Sequence, residues 1–266
     1  MPVLDMVARD PRVTKLTLIE PDIYKPHNVE RHLFGFESVG ESKLDLAASW
    51  LRGRREDLEI DCLPVDVTEE SSQERIESAI ADADLGICAV DNESAKYHWD
   101  ALMRKHAMPW TLGEVLSGGI GGFVHWFMPG GACYGCVASH LKREVTVDKA
   151  PTPDYSQPGG AVHETTIPAS MASIHTIASI HALVTLQILD AMSEPEQRLA
   201  RLQALGFTTM LLTMQKVPDV FDEAFKPFKL CLDRSSSCLI CNAQEVPEGA
   251  ALDDAIDEAI SRLSDD

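Results

Sequence analysis

Apolar and polar residues alternate along this chain in blocks that predict short strands separated by helices. Short runs rich in β-branched and other apolar residues predict strands, and apolar residues that recur at helical spacing predict helices. The predicted strands are residues 16–19, 58–67, 84–91, 109–115, 123–128, 207–215 and 227–232, and the predicted helices are residues 1–13, 38–56, 68–81, 93–106 and 168–192. This order is typical of an α/β domain with a doubly wound, mostly parallel sheet, to which the late strands add antiparallel pairings.

The loop after the first predicted strand concentrates polar residues that suit a nucleotide. Glu20 and Asp22 follow that strand directly, and an acid at the carboxyl end of such a strand can accept hydrogen bonds from ribose hydroxyls. Asn28 and Arg31 share one face of a short helical turn, and Lys43 lies near the start of the next helix. One interpretation is a nucleotide cradle, and the other is a solvated loop with surface charges. Composition alone does not choose between them.

A second candidate position closes the apolar strand at residues 84–91. Asp91 ends this strand, and a carboxylate there can hold Mg²⁺ against a triphosphate, because Mg²⁺ takes one or two carboxylates together with phosphate oxygens. The alternative is that Asp91 and Asn92 only cap the helix that follows. Both roles are compatible, since Asn92 can cap the helix while Asp91 faces the metal.

Seven cysteines in a chain of this kind indicate reduced thiols and a metal site rather than a disulfide framework. Four of them form two Cys-x-x-Cys units, at Cys133 and Cys136 and at Cys238 and Cys241. Two such units match a tetrahedral structural zinc site, although their separation is longer than in zinc fingers, and metal-free thiols are the alternative. The other three thiols lie in strand-like apolar runs, which predicts buried and inert side chains at Cys62, Cys88 and Cys231.

Size and charge narrow the class of protein. The chain has 266 residues, with 23 Lys+Arg against 42 Asp+Glu and a formal net charge of −19. This charge argues against non-specific nucleic-acid binding and against an anionic membrane surface. The sequence shows no uninterrupted apolar run of membrane-spanning length and no leader, so we expect a cytoplasmic protein.

Three further segments complete the sequence-based picture. The glycine-rich residues 117–122 do not precede a helix, so we expect a hairpin turn or a close backbone approach rather than a phosphate loop. Residues 149–166 are rich in Pro and Gly and contain no cysteine. Residues 246–266 are acidic, with apolar positions at helical spacing, which predicts an amphipathic C-terminal helix after a domain at residues 1–245.

Five motifs in this order resemble one known family. They are the acid-x-Asp at Glu20–Asp22, the Asn-x-x-Arg at Asn28–Arg31, the Gly-x-x-Lys at Gly40–Lys43, residues 89–92 and the paired Cys-x-x-Cys units. Together they resemble the ThiF and MoeB type of adenylyltransferase in the ubiquitin-activating superfamily, and they run from about residue 16 to residue 241.

The resemblance implies a Rossmann-like fold, a zinc-clamped C-terminal part, ATP and Mg²⁺ as cofactors, and a homodimer. The implied reaction adenylates the C-terminal carboxylate of a small ubiquitin-like or sulfur-carrier protein with a Gly-Gly type C-terminus. The implied cofactor-binding residues place Glu20 at the ribose, Asn28, Arg31 and Lys43 at the phosphates and Asp91 at the Mg²⁺, and they also include Asp22 and Asn92. Of these, Arg31, Lys43 and Asp91 are the implied catalytic residues.

The sequence departs from the family pattern at several points. Glu20 stands where Asp is usual, and His32 stands where Gln is common. The loop at 149–166 lacks the nucleophilic cysteine of many members, and the family's first strand and Gly-x-Gly-x-x-Gly turn do not precede the first helix, so we expect residues 1–245 to be an N-terminally truncated adenylation domain. One alternative is a non-catalytic, zinc-stabilised binding module that retains the fold. A nicotinamide-dependent oxidoreductase is disfavoured, because its glycine-rich turn is missing.

Overall fold

The computed structural model describes residues 1–141 and 168–242. Within these ranges the chain forms seven α-helices and seven strands. The first four elements are α1 (Pro2–Ala8), β1 (Lys15–Ile19), α2 (Lys43–Arg52) and β2 (Glu59–Leu63). β1 and β2 pair in parallel, with Lys15 opposite Glu59 and Ile19 opposite Leu63, and form a two-stranded sheet.

The remaining strands form a second sheet. They are β3 (Gly86–Cys88), β4 (Trp110–Val115), β5 (Gly121–Phe127), β6 (Thr209–Thr213) and β7 (Pro227–Leu230), and their order in the sheet equals their order in the chain. The helices around them are α3 (Gln73–Ala81), α4 (Glu93–Lys105), α5 (Tyr134–His140), α6 (Met171–Ser193) and α7 (Arg198–Leu205). β3 and β4 pair in parallel, and every later pairing in this sheet is antiparallel.

The predicted α/β class and the late antiparallel strands are confirmed. The sheet is mixed rather than mostly parallel, because parallel pairing is confined to β1–β2 and β3–β4 among the described residues. The chain reverses after β4 at Gly118 and Gly119, whose φ values of +72° and +66° are favourable for glycine. The predicted hairpin turn at the glycine-rich segment is therefore confirmed, and it is the point at which parallel pairing stops.

Element boundaries differ from the predictions for local reasons. Helix α2 begins at Lys43 rather than at residue 38, because the Ser42 hydroxyl caps it by accepting from the Asp45 N–H at 3.2 Å. Its buried side chains are spaced as an amphipathic helix requires, at Leu44, Ala47, Ala48 and Leu51. The predicted loop at 149–166 and the predicted helix at 246–266 lie outside the described residues.

Helix α6 is the core helix of the five-stranded sheet. It packs on β4, β5 and α1, and Ile177, His181 and Ile188 on it are almost fully buried. Two strand glycines permit this close packing, since a Cβ on Gly113 would lie 2.5 Å from the His181 Nδ1 and one on Gly122 would lie 2.5 Å from the Ile177 Cγ1. The predicted close backbone approach is therefore a contact between helix and sheet.

Helix α6 is long and apolar enough, by length and composition alone, to cross a membrane. His, Ser and Thr residues interrupt its apolar run, so the sequence shows no uninterrupted apolar segment of spanning length at this helix. In the structure two of these polar residues, His181 and Thr185, contact a threonine of β4. His181 Nε2 is 2.9 Å from the Thr111 Oγ1, which in turn is 2.9 Å from the Thr185 Oγ1.

Stability is expected to fall on acidification between about pH 6.5 and pH 3, partly because of His181. Burial, with His125 adding to its effect, lowers the pKa of His181 to about 3. In that window the unfolded state binds a proton that the folded state excludes, so this residue lowers the free energy of unfolding by up to about 1.4 kcal/mol per pH unit as the pH falls. His181→Gln should flatten this dependence in urea unfolding at several pH values. Equal slopes for the two proteins would contradict the assignment.

Candidate nucleotide site and metal centre

Three of the predicted nucleotide-binding residues meet where β1 ends and α2 begins. The Lys43 Nζ lies 2.7 Å from the Asp22 Oδ2 and 3.9 Å from the Glu20 Oε2. The backbone N–H of Lys43 also donates to the Asp22 carbonyl at 3.0 Å, and the Asp22 N–H donates to the Glu20 Oε1 at 3.0 Å. The loop after β1 and the first turn of α2 are thus joined through one cation and two acids. Their role in nucleotide binding stays a prediction.

Asn28 shapes the turn that carries Arg31. The Asn28 side chain is buried, and its Oδ1 accepts from the Lys25 N–H at 2.8 Å. The Asn28 carbonyl accepts from the N–H groups of Arg31 and His32, at 3.0 and 2.8 Å. Asn28 therefore fixes the backbone from which Arg31 extends, which is a local structural role compatible with the predicted contact to phosphate.

His32 is neutral at pH 7 in this environment. Burial and neighbouring positive charges, among them Lys43 and Arg31, lower the pKa of His32 to about 4. The ring also packs edge-on against Tyr24, with the two ring centroids 5.8 Å apart. An uncharged imidazole is a polar side chain with both donor and acceptor capacity, as an amide is. His32, which stands where Gln is common, therefore keeps this position neutral and polar.

Asp91 and Asn92 lie on the loop between β3 and α4. The predicted helix cap is confirmed, because the Asn92 Oδ1 accepts from the Ala95 N–H at 2.9 Å. Strand β3 ends at Cys88, earlier than predicted, and both Asp91 and Asn92 are exposed. Between described residues, no hydrogen bond or ion pair joins Asp91 to Glu20, Asp22 or Lys43. An exposed carboxylate suits a hard cation such as Mg²⁺, and that role stays a prediction.

The two Cys-x-x-Cys units come together as one cluster, although they lie far apart in the sequence. The four Sγ atoms all lie within 4.8 Å of one another, and the closest pairs are 3.5 to 3.7 Å apart. A tetrahedral Zn²⁺ with Zn–S bonds of about 2.3 Å requires sulfur atoms about 3.8 Å apart, so the cluster fits the ion. Four protein ligands leave no open coordination position, which assigns a structural rather than a catalytic role.

Side chains and backbone around the cluster explain why it holds its shape. A Cβ on Gly135 would lie 2.6 Å from the Ile240 Cγ1, so only glycine lets the first unit pack against the second.

Burial raises the pKa of the Cys133 thiol. Burial also opposes ionisation of Cys238, but hydrogen bonds from the backbone N–H groups of Cys241 and Ile240 and from the Cys133 and Cys136 thiols together outweigh it and lower the pKa of Cys238 to about 7. Metal binding is therefore coupled to thiol deprotonation and strengthens as the pH rises.

The remaining thiols give a mixed outcome. Cys88 is buried as predicted, and burial raises its pKa to about 12. Cys62 is half-buried, and burial raises its pKa as well. The prediction for Cys231 is wrong, because β7 ends at Leu230 and leaves the Cys231 side chain exposed.

A buried ionic network near the Asp91–Asn92 loop was not predicted. The Lys96 Nζ lies 2.7 Å from carboxylate oxygens of both Glu93 and Glu114. The other Glu114 oxygen lies 3.1 Å from the His125 Nε2, and the His125 Nδ1 lies 3.0 Å from the Thr209 Oγ1. The network thus links α4 to β4, β5 and β6. One signal was available in the sequence, since Lys96 shares a helical face with the apolar Met103, and a lysine on an apolar face is unusual unless it is paired.

Comparison with known proteins adds the family context. The model described as ThiF family matches residues 11–220. None of the curated protein sequences compared with this chain matches it.

Solved structures share the fold. The chain is similar to E. coli MccB with ATP, at 15% identity and a TM-score of 0.61, covering 90% of this chain and 63% of that one. It is also similar to the microcin C7 biosynthetic enzyme MccB in complex with N-formylated MccA, at 16% identity and a TM-score of 0.64, covering 90% of this chain and 64% of that one. For PaaA the identity is 14% and the TM-score 0.53, covering 86% of this chain and 68% of that one. The chain therefore spans a little under two thirds of the length of the MccB structures.

Proposed function

This chain belongs to the ThiF family, and from that premise we propose that it is an adenylyltransferase that activates the C-terminal carboxylate of a small protein or peptide with ATP. The observation that carries the proposal is the meeting of Glu20, Asp22 and Lys43 at the carboxyl end of β1. A ligand crevice lies at this end of the strands in open α/β sheets. The MccB structures, which contain ATP or MccA, share the fold and support this choice of substrates.

In the proposed reaction an oxygen of the substrate carboxylate attacks the α-phosphate of ATP, the bond to pyrophosphate breaks, and an acyl-adenylate forms. Catalysis of this step consists mainly of alignment and neutralisation of charge. Glu20 accepts hydrogen bonds from the ribose hydroxyls. Arg31 and Lys43 bind phosphate oxygens, and Asn28 holds the turn that carries Arg31.

The Asp22–Lys43 ion pair gives the site a defined resting state. At 2.7 Å the carboxylate neutralises the ammonium, so the triphosphate must compete with Asp22 for Lys43. Asp91 is the proposed carboxylate ligand of Mg²⁺, which would neutralise charge on the phosphates. The four clustered cysteines would hold zinc away from the chemistry and clamp the segment around residue 238 to the start of α5.

The finer identity of the partner follows from the same proposal. We infer a ubiquitin-like or sulfur-carrier protein with a Gly-Gly type C-terminus, as the resemblance of the five motifs implies. We also propose that this protein is a homodimer and that it acts in the cytoplasm.

Lys43→Ala is expected to lower the rate of pyrophosphate exchange into ATP by at least about 100-fold, because a preorganised cation at the phosphates is lost. Asp91→Ala should have a comparable effect if the carboxylate holds Mg²⁺. The assay uses labelled pyrophosphate, MgATP and a small ubiquitin-like protein that ends in Gly-Gly.

Lys105→Ala is the matched control, since Lys105 is also a lysine on a helix but is exposed and pairs only with Glu77 among the described residues. Its exchange rate should equal that of the unmodified protein. Titration calorimetry with MgATP separates the alternative, because a non-catalytic binding module would release no heat. Unchanged exchange in Lys43→Ala would remove this residue from the site.

A further inference from the structure

The first residue of α5 links the cysteine cluster to helix α4. Tyr134 directly follows the metal-ligating position Cys133 and is fully buried. Its backbone N–H donates to the Asp100 Oδ1 at 3.0 Å, and its hydroxyl donates to the Glu93 Oε2 at 2.8 Å. Its ring packs edge-on against Tyr97, with centroids 5.0 Å apart. The start of α5 is therefore tied to three points along α4.

These three points span most of α4 and reach its N-terminal end. Glu93 is the first residue of the helix, directly after the capping Asn92 and two residues after Asp91. Cys133 stands at the capping position of α5, but its side chain does not cap the helix. The completely buried Asp100 caps the N-terminus of α5 instead, by accepting from the Tyr134 N–H. Movement of the cysteine cluster would thus be transmitted through Tyr134 to the loop that carries Asp91.

The chemistry of the contact points to more than packing. A phenylalanine would fill the same space and keep the ring contact with Tyr97 and the backbone bond to Asp100. The hydroxyl adds a charge-assisted hydrogen bond to a carboxylate whose other oxygen pairs with Lys96 at 2.7 Å. The Glu93 carboxylate is therefore oriented from two sides, by α5 and by its own helix.

We propose that Tyr134 is a positioning residue, which couples the structural metal site to the Asp91–Asn92 loop and thereby sets the affinity of this loop for magnesium-bound nucleotide. The nucleotide part of this inference rests on the proposed function, whereas the mechanical coupling does not. The metal site then has two effects: it holds the segment around Cys238 in place, and it fixes the end of α4.

Tyr134→Phe tests the proposal with three readouts. The metal content should stay at that of the unmodified protein, because none of the four ligands changes. Amide hydrogen exchange in peptides covering residues 89–97 should become faster, since the cap at Ala95 loses its external support. The dissociation constant for MgATP, measured by titration calorimetry, should rise about tenfold, since the lost hydrogen bond to a charged group orients the loop but does not contact the nucleotide, so only part of its contribution reaches the affinity.

Glu93→Ala supplies the second variant, because it removes the oxygen that accepts from the Tyr134 hydroxyl. In the Glu93→Ala background, Tyr134→Phe should add little further effect on exchange or affinity, since the acceptor is already absent. Unchanged exchange over residues 89–97 in a Tyr134→Phe protein that retains its metal would overturn the coupling. If the unmodified protein binds no MgATP while exchange still accelerates in Tyr134→Phe, the proposed function fails and the coupling stands.

Discussion

Lys96→Met is expected to lower the free energy of unfolding by about 3–5 kcal/mol, because it leaves a buried carboxylate without its cation. The Lys96 side chain is 4% exposed and the Glu114 side chain 10% exposed. Burial disfavours the charged ammonium, but Glu114 and Glu93 outweigh that effect and raise the pKa of Lys96. The ion pair is therefore intact in the folded protein. Removal of the Lys96 ammonium leaves the Glu114 carboxylate buried without its cation. Urea unfolding followed by circular dichroism measures the loss.

Two further variants make this measurement specific. Lys105→Met removes an exposed lysine that pairs with Glu77, and surface pairs of this kind contribute about 0–1 kcal/mol. The double variant Lys96→Met with Glu114→Gln removes both charges, so it should recover part of the stability lost in Lys96→Met. A loss no larger than that of Lys105→Met would show that the network is unimportant for stability.

Cys136→Ser is expected to remove the bound metal and to lower the free energy of unfolding by more than about 4 kcal/mol, in the range of the exceptional single substitutions. The Cys136 Sγ lies 3.7 Å from the Cys133 Sγ and 3.6 Å from the Cys241 Sγ, so its loss opens the centre of the cluster. Structural zinc contributes about 10–16 kcal/mol in zinc-finger peptides, and a domain with its own apolar core depends on only a part of that.

Metal content by mass spectrometry and thermal unfolding measure the two effects together. Cys231→Ser is the matched control, because it removes an exposed thiol outside the cluster and should change neither readout. A Cys136→Ser protein that keeps one zinc per chain and unfolds at the original temperature would contradict the four-cysteine site.

The parts of the site that the sequence predicts are those in which a local signal suffices. Glu20 and Asp22 follow a strand directly, and the helix that Ser42 caps brings Lys43 to them. The Asn92 cap is likewise readable, because capping depends on residues within one turn. The cysteine cluster was predicted from the two Cys-x-x-Cys units together with the family resemblance, because units this far apart in the sequence are weak evidence by themselves.

The parts that escaped prediction depend on contacts between distant segments. Glu114 and Lys96 are separated by 18 residues, and neither position alone indicates an ion pair. Cys231 was predicted to be buried from its apolar neighbours, but exposure depends on where an edge strand stops. The division of the strands into two sheets also depends on which strands become neighbours. The spacing of apolar residues along the chain does not encode this.

The position of β6 has a consequence for synthesis of the protein. β5 pairs with β6 through partners such as His125 and Thr209, which are 84 residues apart in the chain. At about 5–20 residues per second, a ribosome needs roughly 4–17 s to make the intervening segment. Throughout that interval the backbone groups of β5 that pair with β6 have no partner in the nascent chain. Such an exposed strand edge can pair with other chains. Newly made protein is therefore most prone to aggregation before the second half has emerged, and chaperones that hold nascent chains should raise its yield.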